Sequence, residues 1–103
     1  MQRGTLIITV LAQADLRNLW SRIADHDLAA ADRMLDLVLE RAKLLAEFPN
    51  AGRERPELGR DYRSMAVDPY VLFYRPRDDG VAILRVAHTA QDIDRIAEEG
   101  VLE

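Results

Sequence analysis

The apolar residues of this chain change their spacing twice, and that change constrains the fold more than any single residue. Residues 5–11 form an unbroken apolar, β-branched run of strand length. Such a run predicts a strand buried on both faces and central in its sheet. From Ala12 the period becomes helical: Leu16, Leu19, Trp20 and Ile23 fall at i, i+3, i+4, i+7, with Asp15 read as a first-turn acid facing the positive helix end. Asp27 is placed to cap a second helix whose face is Ala31, Met34, Leu35, Val38, Ala42 and Leu45, ending at Pro49. Two helices on so short a connection make a hairpin with an apolar stripe that another layer must cover.

The second half of the chain supplies that layer. After the breakers Pro49, Asn50 and Gly52 come three strand-like segments, residues 62–67, 70–75 and 81–88, separated by Asp68-Pro69 and by the turn composition of residues 76–80. They read as an antiparallel meander. Ile93, Ile96 and Ala97 are spaced for a short terminal helix. The predicted architecture is a small α+β fold of order β-α-α-β-β-β-α, one domain over residues 1–103, with the hairpin packed on the sheet.

Composition narrows the chemistry. At 103 residues without cysteine, the chain can hold neither a disulfide nor a thiolate zinc site, and its two histidines lack metal-ligand spacing. No metal and no cofactor are expected, and a reducing, cytoplasmic setting is the default. The apolar stretch near the N-terminus is short for a secretory leader, and no run is long enough to span a bilayer, so no membrane role is expected. The net charge of −4 lies wholly after Ala90: thirteen basic and thirteen acidic residues balance before that point. A neutral body argues against broad phosphate neutralisation, and hence against direct nucleic-acid binding.

Few residues suggest catalysis. His88 at the end of the last strand is either a backbone-bonded structural histidine or half of a His-Asp acid-base pair with Asp92 or Asp94. Arg53, Arg55, Arg60 and Arg63 cluster in and after the loop, with Arg75 and Arg85 on neighbouring strands. They form a carboxylate-binding surface, or else Glu54, Glu57 and Asp61 neutralise them locally. Tyr70, Leu72, Tyr74 alternate with Val71, Phe73, Arg75, so one row packs on the helices. Trp20 is read as core, with an aromatic anchor in a partner groove left open.

The ordered combination Ala12-x-x-Asp15-Leu16, Trp20, Ile23-Ala24, Ala31, Leu45-Ala46-x-x-Pro49-x-x-Gly52-Arg53, Glu57-Leu58, Arg63, Val67, residues 70–75 (YVLFYR), residues 83–86 (ILRV) with His88, and Asp92-Ile93 resembles the ParE toxins of bacterial toxin–antitoxin modules, within the RelE/ParE superfamily. The resemblance implies a helical hairpin on a curved antiparallel sheet. It implies a toxin neutralised by a ParD-like antitoxin in a hetero-oligomer, acting on DNA gyrase by binding and not as an enzyme. The related RelE branch cleaves mRNA on the ribosome. Where that branch places a catalytic arginine after an aromatic on the middle strand, this chain has Val71 after Tyr70. His88 is the residue that would support the nuclease reading, and a non-toxic antitoxin-binding remnant is a third. No catalytic residue is assigned. Carried over residue by residue, the family pattern assigns Arg53, Arg63, Tyr70, Arg75, Arg85 and His88 to a surface facing acidic parts of the antitoxin. Leu16, Trp20 and Ile23 are assigned to its hydrophobic groove.

Overall fold

A computed structural model describes residues 4–89. The chain enters as strand β1 (Thr5–Ile8) and turns at Thr9 into helix α1 (Val10–Ala24). The apolar run is thus divided: Thr9 is the helix N-cap, and Val10 and Leu11 lie in the first helical turn, exposed to solvent. Their hydrophobicity lengthened the apparent strand without taking part in it. Asp15 lies beyond the first turn, because the helix starts two residues earlier than its apolar period suggests. Helix α2 (Leu28–Glu47) is capped by Asp27, whose carboxylate accepts the Ala30 N–H at 3.0 Å, and it ends just before Pro49 as expected.

The further strands among the described residues are β2 (Arg53–Glu54), β3 (Arg63–Val67), β4 (Tyr70–Arg77) and β5 (Gly80–His88), with a 3-10 turn at Pro56–Leu58. The sheet order is β1-β5-β4-β3-β2. Strands β2 to β5 form an antiparallel array that contains the predicted meander, while β1 runs parallel to β5 with Thr5 opposite Gly80 and Ile8 opposite Ile83. Parallel neighbours need a crossover connection, and the helical hairpin begins it. Strand β1 is therefore an edge strand, not a central one, and Ile7 is 38% exposed. The two-residue β2, whose residues are both exposed, has no apolar signature and was not predicted. The α+β class and the hairpin-on-sheet packing stand. The predicted terminal helix lies outside the described residues.

Parity along β5 explains the core. Val81, Ile83 and Val86 all join the helix-facing cluster, although strict alternation would put Ile83 and Val86 on opposite faces. A register shift resolves this: Phe73 pairs with Arg85 and Tyr74 with Ile83, leaving Leu84 as the extra residue of a β-bulge. Of the two alternating rows on β4, Tyr70, Leu72 and Tyr74 pack with α1 and α2 residues. Val71 and Phe73 join Tyr62, Ala87 and the partly buried Leu58 and Leu84 in a second cluster on the other face.

Candidate partner-binding site

Trp20 sits on α1 one turn beyond Leu16, and the antiparallel return of α2 brings Asp32 and Leu35 beside them. The indole Nε1–H donates to Asp32 Oδ1 at 2.9 Å. This bond orients the ring at the surface, leaving Trp20 half-buried instead of fully in the core. Leu16, Arg17, Trp20, Ser21 and Leu35 line a mainly apolar groove of about 340 Å³ on the hairpin. A rigid aromatic with its polar atom satisfied is a suitable anchor for an apolar side chain from a partner. Ile23 packs against the core outside this lining, so the structure unites two of the three groove residues taken from sequence. Leu35 was missed as a groove residue, and Asp32 as the group that orients the indole. Folding Trp20 back across the turn from the Asp27 cap would have pointed to them.

The predicted cationic surface divides into structural and exposed members. Arg85 is 6% exposed: its Nε donates to Asp15 Oδ2 at 2.7 Å and a terminal nitrogen to Asp15 Oδ1 at 3.0 Å. It braces α1 against β5 and is buried between them, not on the surface to which it was assigned, because the bulge draws it into that interface. Tyr70 is likewise buried, at 5% exposure, in the helix-facing core, which corrects its assignment to the surface. His88, opposite Tyr70 in the ladder, is half-buried and meets the tyrosine ring edge-on at 5.4 Å between centroids. With Asp15, Asn18 and Arg22 these two line a recess of only about 40 Å³. That is well below the roughly 300–1,000 Å³ of small-molecule sites.

Arg53 is exposed on β2, and Arg75 is exposed on β4 with its guanidinium carbon 5.3 Å from the Tyr62 ring centroid. Arg63 is half-buried and donates to the carbonyls of Gly52 at 2.8 Å and Asn50 at 3.3 Å, with Glu54 at 3.3 Å. Arg55 stacks over Phe73 at 5.6 Å, donates to Ser64 Oγ at 3.1 Å and pairs with Glu57 at 2.6 Å. That hydrogen bond holds the Glu57 carboxyl below the usual carboxylate range. Local neutralisation thus applies to Arg55 and Arg63, while Arg53, Arg60 and Arg75 remain exposed.

The loop carrying these cations is fixed by Tyr74. Its buried hydroxyl donates to the Pro49 carbonyl and accepts the Gly52 N–H, both at 2.8 Å. A Cβ at position 52 would collide with this hydroxyl and with the Ser64 carbonyl, which explains the glycine of the Pro49-x-x-Gly52-Arg53 sequence. Burial pushes the Tyr74 phenol above its ordinary value, although the Gly52 N–H and Arg63 oppose the shift. Among the described residues no cluster of histidine and carboxylate side chains could hold a metal ion, and no helix is long and apolar enough to cross a membrane.

A family model described as the ParE toxin of the type II toxin–antitoxin system parDE matches residues 6–93. The chain belongs to the ParE toxin family. It is similar to the toxin RelE3 of Caulobacter vibrioides, 37% identical over 81 residues, covering 78% of this chain and 88% of that one. Among solved structures it resembles the toxin–antitoxin complex RelBE2 of Mycobacterium tuberculosis, with a TM-score of 0.61 and 33% identity over 88% of this chain and 97% of that one. The chromosomal ParDE system of P. aeruginosa shares the fold, with a TM-score of 0.71 at 22% identity, covering 84% of this chain and 96% of that one. This ParE-family toxin therefore carries the superfamily fold, with an apolar groove on its hairpin and exposed Arg53, Arg60 and Arg75 on and around the sheet.

Proposed function

We propose that this toxin is held by a ParD-like antitoxin and, when free, poisons DNA gyrase by binding it. The antitoxin inserts apolar side chains into the groove at Leu16, Trp20 and Leu35 and turns carboxylates toward exposed Arg53 and Arg75. The observation that carries the non-enzymatic reading is the side of the sheet that His88 occupies. Its ring lies with Tyr70 and α1, whereas Arg55 and Arg75 stack on Phe73 and Tyr62 on the opposite face. A general acid or base must lie within hydrogen-bond reach of the group it serves, and an intervening sheet separates these. Val71, where the RelE branch has an arginine, is apolar and buried.

The RelE names of two relatives favour a second reading, ribosome-dependent mRNA cleavage. Inducing the toxin separates the two. Gyrase poisoning produces filamentation and an SOS response while bulk translation continues, and the His88→Ala variant stays toxic. Rapid mRNA cleavage at codon positions, lost in His88→Ala, would establish the nuclease instead. Trp20→Ala should weaken capture of the antitoxin about tenfold or more, as for an aromatic anchor at an interface.

A further inference from the structure

A second concavity lies at the other end of the sheet from His88. It is a cleft of about 650 Å³ between the loop before β3 and the turn joining β4 to β5. Tyr70 and Arg77 begin and end β4, so this cleft stands about 23 Å from the His88 end by strand rise. Two Arg-Asp dipeptides flank it, Arg60-Asp61 on the loop and Arg77-Asp78 on the turn. All four side chains are exposed, and none takes part in an ion pair among the described residues.

The frame behind these charges is tied by hydrogen bonds and ring stacking. Arg63 is fixed at the base by two carbonyls and Glu54, and the Tyr62 ring is buried under the Arg75 guanidinium. On the rim, Asp61 adopts φ 66°, a left-handed conformation that a non-glycine residue rarely takes. Residues held in this region cluster at ligand-binding positions.

Resting on the gyrase-directed reading, we propose that this cleft is the toxin's target-binding surface, taking a protein segment that presents both a carboxylate and a basic side chain to the two Arg-Asp dipeptides. Cations and carboxylates balance in the lining, so a phosphodiester backbone would meet as much repulsion as attraction. A mixed-charge protein segment can pair with both signs at once, which fixes its register and rejects wrong partners.

The test measures gyrase binding by surface plasmon resonance and inhibition of supercoiling for three proteins: wild type, Arg60→Glu with Arg77→Glu, and Asp61→Lys with Asp78→Lys. Thermal melting and capture of the antitoxin verify that each variant is folded. Both charge reversals should weaken gyrase binding by about tenfold or more, with antitoxin capture retained through the Trp20 groove. Arginine reversal that weakens binding while aspartate reversal strengthens it would mean a purely anionic occupant and overturn the proposal. Unchanged binding in both variants would overturn the cleft while leaving gyrase as the target. A wild-type chain that does not bind gyrase would overturn both readings. Self-association of the wild type abolished by either variant would make a second copy the occupant and likewise reject the proposal.

Discussion

Asp15 accepts from the Arg85 side chain at two oxygens and from the Val86 N–H at 2.9 Å. One carboxylate thereby pairs with a buried guanidinium and accepts from a backbone donor beside the β-bulge. Asp15→Asn should destabilise the fold by about 3–5 kcal/mol in urea unfolding, the range for removing one partner of a buried ion pair. Replacing both residues, Asp15→Leu with Arg85→Met, should recover part of this, leaving a residual loss of about 1–3 kcal/mol for the Val86 N–H. Full recovery in the double variant would show that the backbone bond contributes nothing. Tyr74 gives a pH-dependent counterpart. Its folded pKa is raised, so the folded chain keeps a proton that the unfolded chain loses. The associated stability is fully present below the ordinary tyrosine pKa of about 10 and declines as pH rises through the folded value. Tyr74→Phe should cost about 1–3 kcal/mol at neutral pH through the bonds lost at Pro49 and Gly52. The same change should flatten the alkaline fall in stability, measured by urea titrations on either side of about pH 10.

At the scale of elements, the junction of β1, α1 and β5 depends on Thr9. Its hydroxyl accepts the Ala12 N–H at 3.2 Å as an N-cap and donates to the Leu84 carbonyl at 3.0 Å. The cap therefore also serves the bulged residue that sets the parity of β5. Thr9→Ala should cost about 1–2 kcal/mol, at the upper end for an N-cap because the bulge carbonyl also loses its donor. Urea unfolding measures the loss, and a change well below that range would assign the bulge no dependence on Thr9. Close approach explains Gly80 as well, since a Cβ there would overlap the Thr5 backbone and force β1 away from β5. Both helices were legible from their apolar period and the α2 cap from Asp27 alone. Hydrophobicity placed residues 5–11 in one strand because an exposed first helical turn and a buried strand can share the same apolar composition. The two-residue β2 was illegible because its Arg53 and Glu54 carry only the turn-side polarity of the loop.

Across the whole molecule, the groove lies on the hairpin and the cleft at the far end of the sheet, so antitoxin capture and target recognition need not use the same residues. Which of the assigned residues reach the groove or the surface was only partly legible. Leu16 and Trp20 meet in the groove as read from their helical spacing, whereas Ile23 turns inward, and Leu35 arrives from a separate helix. Arg53 and Arg75 are exposed as assigned, but Arg85 and Tyr70 are buried because strand alternation does not reveal a bulge or which face receives the helices. The residues by themselves determined the two helices, the antiparallel meander and the family pattern, since periodicity, caps and turn composition act over a few neighbouring positions. Only the tertiary structure decided that β1 lies at an edge, that Asp15 neutralises Arg85, and that two distant Arg-Asp dipeptides face one cleft. Those outcomes depend on pairing register and on contacts between residues far apart in the chain, which local spacing does not encode.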